Sequence, residues 1–195
     1  MNSVKDLVSY ARANPGKLNF GNSGIGTSTH LATVLFMSKT NLNLVSVVYK
    51  GASQALVDLL GAQIQVLCTS TLPALPHVRS GQLRALAVTT AARSRAVPDI
   101  PTVAEAANLP GFNAIFWQAM VVPAGTPKPI VDRLYAEAVR ALKMPDVIER
   151  LATQGGNELI GNTPEQFAAL VRDEIVQYGK VIRQARTKPR AFQLQ

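Results

Sequence analysis

The chain has 195 residues, 47% of them hydrophobic and 16% charged. That balance excludes a disordered chain apart from the last few residues, and the length suffices for one sizeable core or two small lobes. The net charge of +8 is uneven: Arg183, Arg186, Lys188 and Arg190 crowd the tail, the body is only modestly basic, and no nucleic-acid motif accompanies it.

Taken in chain order, apolar spacing predicts a helix over 4–13, closed by Asn14, Pro15 and Gly16. A short strand follows at 18–21, and a helix over about 27–39 with Leu31, Val34 and Leu35 on one face. A β-branched strand is expected at 44–49 and a helix at about 53–60, stopped by Gly61. The next strand, 64–68, carries the lone cysteine, Cys68, which reads as a buried thiol with no disulfide partner. A short helix over 72–79 is expected despite Pro73 and Pro76. The nearly all-apolar run 83–89 reads as a strand covered on both faces.

Thr102 and Glu105 have the spacing of a capping box, opening a short helix to Asn108. Residues 113–122 read as a long strand, with Phe116 and Trp117 expected in the core. Thr126 is expected to cap a helix that opens with Pro127 and runs to about Leu142. Another starts at Pro145 and ends at Gly155 and Gly156. A short strand is possible at 158–160. Thr163 and Gln166 form a second box, ahead of a long amphipathic helix with Phe167, Leu170, Val171, Ile175, Tyr178 and Ile182 inward. Strands alternating with helices imply an α/β chain with a mainly parallel sheet flanked by helices. The last third is almost all helix. No apolar run is long enough to span a bilayer. No charged start followed by an apolar stretch opens the chain, so no signal peptide is expected and the chain as written would be cytoplasmic.

One turn stands out for chemistry. Strand, then Asn22-Ser23-Gly24-Ile25-Gly26-Thr27-Ser28-Thr29-His30, then helix, places a glycine- and hydroxyl-rich loop at a helix start. In a parallel sheet that is the carboxyl end of a strand, where ligands of open α/β folds bind. Free amides, the helix dipole and the hydroxyls of Ser23, Thr27, Ser28 and Thr29 suit a carboxylate or phosphate. Gly24 and Gly26 let the backbone come close. An ordinary capped helix after a flexible turn explains the same residues equally well. The missing lysine excludes a Walker loop, and the glycine spacing excludes a full dinucleotide fingerprint.

Tyr49, Lys50 and Gly51 form a second strand–helix turn, offering a hydroxyl or ring, a charge and a close backbone. Thr69, Ser70 and Thr71 form a third. Catalytic chemistry is not expected. His30 sits where it would cap or pack, His77 has no partner in view, and no nucleophile–base–orienter set can be assembled. No metal-ligand cluster and no cofactor motif is present. An enzyme using the same cradle for a phosphorylated or carboxylated substrate is the alternative.

The ordered motifs KLNFGNSGIGTSTHL (17–31), VYKG (48–51), DLLG (58–61), LPH (75–77), GQLRALAVT (81–89), PDIPTVAE (98–105) and PAGTP (123–127) together resemble the Bug-type solute receptors of tripartite tricarboxylate transporters. The resemblance covers the chain to about Ala185. It implies a two-lobed periplasmic-binding-protein-like (type II) fold holding a small carboxylate for delivery to membrane transporter subunits, in the periplasm. Ser23–Thr29 and Tyr49–Gly51 would face the cleft, and Thr69 and Ser70 would tune specificity. Residues 1–120 would be the second lobe. Residues 121–195 would be the C-terminal helical part of the first, incomplete here because the family's signal peptide and first-lobe segment have no counterpart. The apolar faces this leaves predict self-association through the last helices and weak binding by a half-cleft.

Overall fold

The computed structural model describes residues 1–186, without the side chains of 184–186. The basic tail at Lys188 and Arg190 lies outside the described residues. Helix α1 (Val4–Ala13) begins where the Ser3 side chain accepts from the Asp6 amide, and it buries Val4, Leu7 and Ala11 along one stripe. Strand β1 (Asn19–Asn22), helix α2 (Ser28–Thr40), strand β2 (Val45–Val48), helix α3 (Ala52–Leu60), strand β3 (Val66–Leu67) and helix α4 (Thr71–Arg79) follow. Each lies within a few residues of its predicted span.

The strands form a parallel sheet in the order β2-β1-β3. Asn19 pairs with Val45 on one side of β1, and Phe20 with Val66 on the other. The central strand is accordingly the most buried, with Phe20 and Asn22 each only 1% exposed. In the 2-1-3 order the chain leaves β1 in one direction for β2, then crosses to the other side for β3. That reversal opens a crevice beyond the carboxyl ends of β1 and β3.

Two apolar clusters flank this sheet. Leu7, Leu18, Phe20, Met37 and Leu44 fill one. Ala32, Leu35, Val103, Phe112, Ala114 and Val181 fill the other. Helix α2 contributes to both, which is why its buried residues, from His30 to Thr40, are not confined to one apolar stripe.

Three predicted strands do not form. Residues 83–89 make no pairing with β3. Instead Val88 bridges Thr102 in parallel, with Val88 N to Pro101 O and Val103 N to Val88 O both 2.9 Å. The ladder stops at one rung because Thr102 is already the N-cap of helix α5 (Val103–Ala106). Residues 113–122 share one backbone bond with the same stretch, Ala114 N to Thr89 O. Beyond Ala114 no strand lies alongside, so an extended, β-prone sequence remains unpaired among the described residues. Phe116 and Trp117, expected in the core, are 50% and 40% exposed. Residues 158–160 likewise form no strand, and Ile160 is 70% exposed.

Both predicted capping boxes are present. Glu105 N donates to Thr102 Oγ1 while Thr102 N donates to Glu105 Oε2, and Thr163 and Gln166 exchange the same pair of bonds. Helix α6 (Lys128–Ala141) is capped at Pro127 rather than Thr126, with no side-chain cap, because Pro129 supplies the preset first turn. Helix α7 (Pro145–Val147) widens into a π-helical stretch, Ile148–Gln154, before Gly155.

The last helix, α8 (Pro164–Arg186), packs back on α2. Its buried contacts are Tyr178 and Val181, while Ile175, expected inward, is 67% exposed. Trp117 anchors the middle of α8: its ring stands edge-on to Phe167 with centroids 4.9 Å apart, and its Nε1 donates to Glu174 Oε2. No helix among the described residues is long and apolar enough to cross a membrane.

Candidate functional site

Because β1, β2 and β3 run parallel, the turns that follow them leave the same edge of the sheet. Strand order sets them side by side as 49–51, 23–27 and 69–70, with the glycine–hydroxyl turn in the middle. Neighbouring strands in a sheet lie ~4.8 Å apart, so one small ligand can reach adjacent turns.

The central turn is built from beneath. The buried Asn22 side chain donates to Ser46 Oγ at 2.8 Å and Val47 O at 3.2 Å, and accepts from Gly24 N at 3.1 Å. It thus ties the loop to β2. Gly24 and Gly26 adopt φ of 129° and 82°, a region that favours glycine. Thr27 caps α2, its Oγ1 donating to Gly24 O at 2.8 Å. Ser23, Thr27 and Thr29 hydroxyls form a short chain of bonds at 3.2 and 3.3 Å. The amides of Ser28 and Thr29, at the first two positions of α2, find no protein acceptor among the described residues.

His30 lies behind this loop rather than on it. It is 2% exposed, stacks on Phe20, and its Nδ1 accepts from Gly26 N at 3.2 Å. Burial holds its pKa below 6.5, which keeps the imidazole neutral and able to accept. As the last residue of the expected ligand cradle, His30 braces the loop from behind.

The second turn is also rearranged relative to expectation. Tyr49 does not hold its hydroxyl free at the turn: it donates to Asp58 Oδ2 at 2.8 Å. Burial and the neighbouring carboxylate push this phenol up to about 12. Gly51 has an extended backbone, φ 178°, that any residue adopts. A Cβ there would meet open space, so the position allows close approach without requiring glycine. Lys50 is exposed, its amide donating to Gln54 Oε1.

Thr69 and Ser70 line a cleft of about 2060 Å³ that also touches Thr33, Trp117 and Met120. Ser23–His30 and Tyr49–Gly51 do not line that cleft. Cys68 is partly buried, its thiol pushed up to about 11 by burial, as an inert thiol should be. His77 has a partner after all, with its Nδ1 2.9 Å from Gln82 Oε1.

Electrostatics favour an anion at this edge. Helices α2, α3 and α4 each start at it, and none has an acidic residue in its first turn. Elsewhere α1, α5, α7 and α8 carry Asp6, Glu105, Asp146 and Glu165 in theirs, while α6, away from this edge, also has none. The positive ends of three neighbouring helices are thus left without an internal counter-charge. Among the described residues no group of three or more His, Cys, Asp or Glu could hold a metal ion.

Sequence reasoning placed Asn22 at the start of the cradle without foreseeing its bonds beneath the loop, and it did not foresee the pairing of Tyr49 with Asp58. An amide side chain at the end of a buried strand was the available signal for Asn22. A donor–acceptor pair nine residues apart, Tyr49 and Asp58, carries no local signature.

Comparison with known proteins fits this geometry. Protein BugT of Bordetella pertussis is 35% identical over 188 residues, covering 96% of this chain and 57% of its own. The chain spans about half the length of the curated relatives it matches. A solved R. palustris protein with adipate superposes with a TM-score of 0.86 at 34% identity, over 94% of this chain and 60% of its own. MatC from Rhodopseudomonas palustris with bound malate gives 0.78 at 30% identity, over 92% and 62%. Residues 1–186 match the tripartite tricarboxylate transporter family receptor, TctC, and this chain belongs to that family.

Proposed function

We propose that the three turns at the carboxyl edge form a wall that binds a small carboxylate, with a dicarboxylate as the preferred class. The observation that carries this reading is the meeting of three uncompensated helix N-termini around Ser23–Thr29. Ser28 and Thr29 amides would hold one carboxylate, with the Ser23 and Thr27 hydroxyls beside them. Lys50 and Gly51 on one flank, and Thr69 and Ser70 on the other, would meet the rest of the ligand. The adipate and malate bound to two relatives fit this class. In this reading the chain acts in the periplasm and hands its ligand to the membrane subunits of a transporter. Residues 1–120 serve as one lobe, and the segment from 121 onward belongs to the other.

Titration calorimetry with adipate and malate, against their neutral diamides, tests the proposal. Heat from the acids only is the expected result, with a dissociation constant above about 1 μM because the turns form an open surface. Diamides binding as well as the acids would defeat it.

A second proposal concerns association. Met120, Val121 and Ile160 are 70%, 79% and 70% exposed, and residues 115–122 hold unpaired, uncharged, β-prone backbone. Such a segment pairs readily with another chain. Concentration-dependent sedimentation is expected, and Val121→Lys is expected to suppress it. A single monomeric species at high concentration in the unsubstituted protein would contradict this.

A further inference from the structure

The Tyr49 ring does not project from the sheet edge but lies across β1. A Cβ built on Gly21 would lie 2.4 Å from Ile64 Cδ1, 3.3 Å from Tyr49 Cε2 and 3.4 Å from Ala55 Cβ. The Ile64 side chain and the edge of the ring thus share the space over β1 that residue 21 leaves open by having no side chain. The far end of the ring reaches Asp58, in the second turn of α3 and half-buried. At its near end, Tyr49 N donates to Asn22 O at 2.9 Å. Tyr49 is thus fastened at both ends, to β1 by its backbone and to α3 by its hydroxyl. The next two residues, Lys50 and Gly51, connect that fixed point to the first turn of α3.

We propose that Asp58 is a positioning residue: by holding the Tyr49 hydroxyl it fixes the Lys50–Gly51 turn beside Ser23–Thr29. This rests on the carboxylate reading above for its consequence, but the mechanical link stands on the geometry of Gly21, Tyr49 and Asp58. Asp58 never meets the ligand. Its charge would oppose a carboxylate at the edge, yet it is turned to the phenol, and that bond shares part of the charge with a donor. The arrangement needs both partners, because a shortened or non-donating side chain at position 49 would free the ring end. Gly21 keeps this packing open, because a side chain there would displace Ile64 and crowd the ring edge.

The test is a double-substitution cycle on the full chain with adipate as probe. Tyr49→Phe and Asp58→Ala are each expected to weaken binding about tenfold. The double variant should be no worse than either single one, since both break the same bond. Asp58→Asn keeps an acceptor oxygen and should recover binding to within about twofold of the unsubstituted protein. Ultraviolet titration adds a second readout, and the recovery in Asp58→Asn separates the lost bond from lost packing. In Asp58→Ala one of the two tyrosines that titrate at about 12, Tyr49 rather than Tyr178, should move down toward 10. Additive losses, or unchanged adipate binding in Asp58→Ala, overturn the proposal. If the unsubstituted protein binds no acid, the carboxylate reading fails instead. Amide exchange at Lys50 and Gly51 then decides the positioning role: faster exchange in Asp58→Ala upholds it, and unchanged exchange overturns it.

Discussion

Replacing Asn22 with alanine is expected to cost about 3 kcal/mol of stability, roughly 1 kcal/mol for each of its three hydrogen bonds. The side chain is 1% exposed, so no water replaces the lost partners. Ser46 Oγ, Val47 O and Gly24 N all lose a bond at once. For a domain of this size that corresponds to a melting temperature lower by about 6–12 °C. The effect on the ligand site goes beyond stability, because Asn22 both grips β2 and receives the amide of Gly24. Thermal unfolding by circular dichroism checks the first part. A loss below about 0.5 kcal/mol would mean the loop is held by other means. Asn22→Asp is expected to be worse than alanine near neutral pH, since it keeps the acceptor for Gly24 but buries a charge against the oxygens of Ser46 and Val47.

The second large effect is a loss of stability in mild acid that depends on His30. Burial lowers its pKa in the folded protein, so the unfolded chain binds that proton more readily. Its contribution is complete above about pH 6.5, the unfolded value, and is lost as pH falls through the folded value. Each unit of lowering is worth about 1.4 kcal/mol. Protonation at Nδ1 would also remove the acceptor for Gly26 N and loosen the central turn. Asp6 and Glu105 have carboxyl pKa values held below 3.8 and 4.5, chiefly by backbone amide donors, so their contributions disappear only further into acid. Urea denaturation between pH 7.5 and 5 should therefore show a falling midpoint, and His30→Gln should flatten that fall while retaining an acceptor. An equally steep fall in the variant would assign the acid sensitivity elsewhere.

What could be read in the sequence was what neighbours in the chain decide. Thr102 with Glu105 and Thr163 with Gln166 mark helix starts through bonds three residues apart. The strand–turn–helix units around Ser23–His30 and Tyr49–Gly51 were legible for the same reason. Strand formation at 83–89 and 113–122 was not, because apolar β-branched residues specify an extended chain but not the neighbour that completes the ladder. The inner face of α8 was legible only in part. Spacing fixes which residues share a stripe, whereas contact with α2 near Tyr178 and Val181 selects the part that is buried. The candidate site followed the same division. Its hydroxyls and glycines were readable locally, but Asn22, His30 and Asp58 act through bonds to β2, the loop and Tyr49 that only folding creates.

The central claim is that a carboxylate sits on the three turns at the sheet edge. Mapping backbone amide shifts in labelled protein during a titration with adipate tests it most directly. The amides of Ser28 and Thr29 should move first and furthest, followed by those of Lys50, Gly51, Thr69 and Ser70. Shifts confined to residues 115–122, or none at saturating adipate, would contradict it.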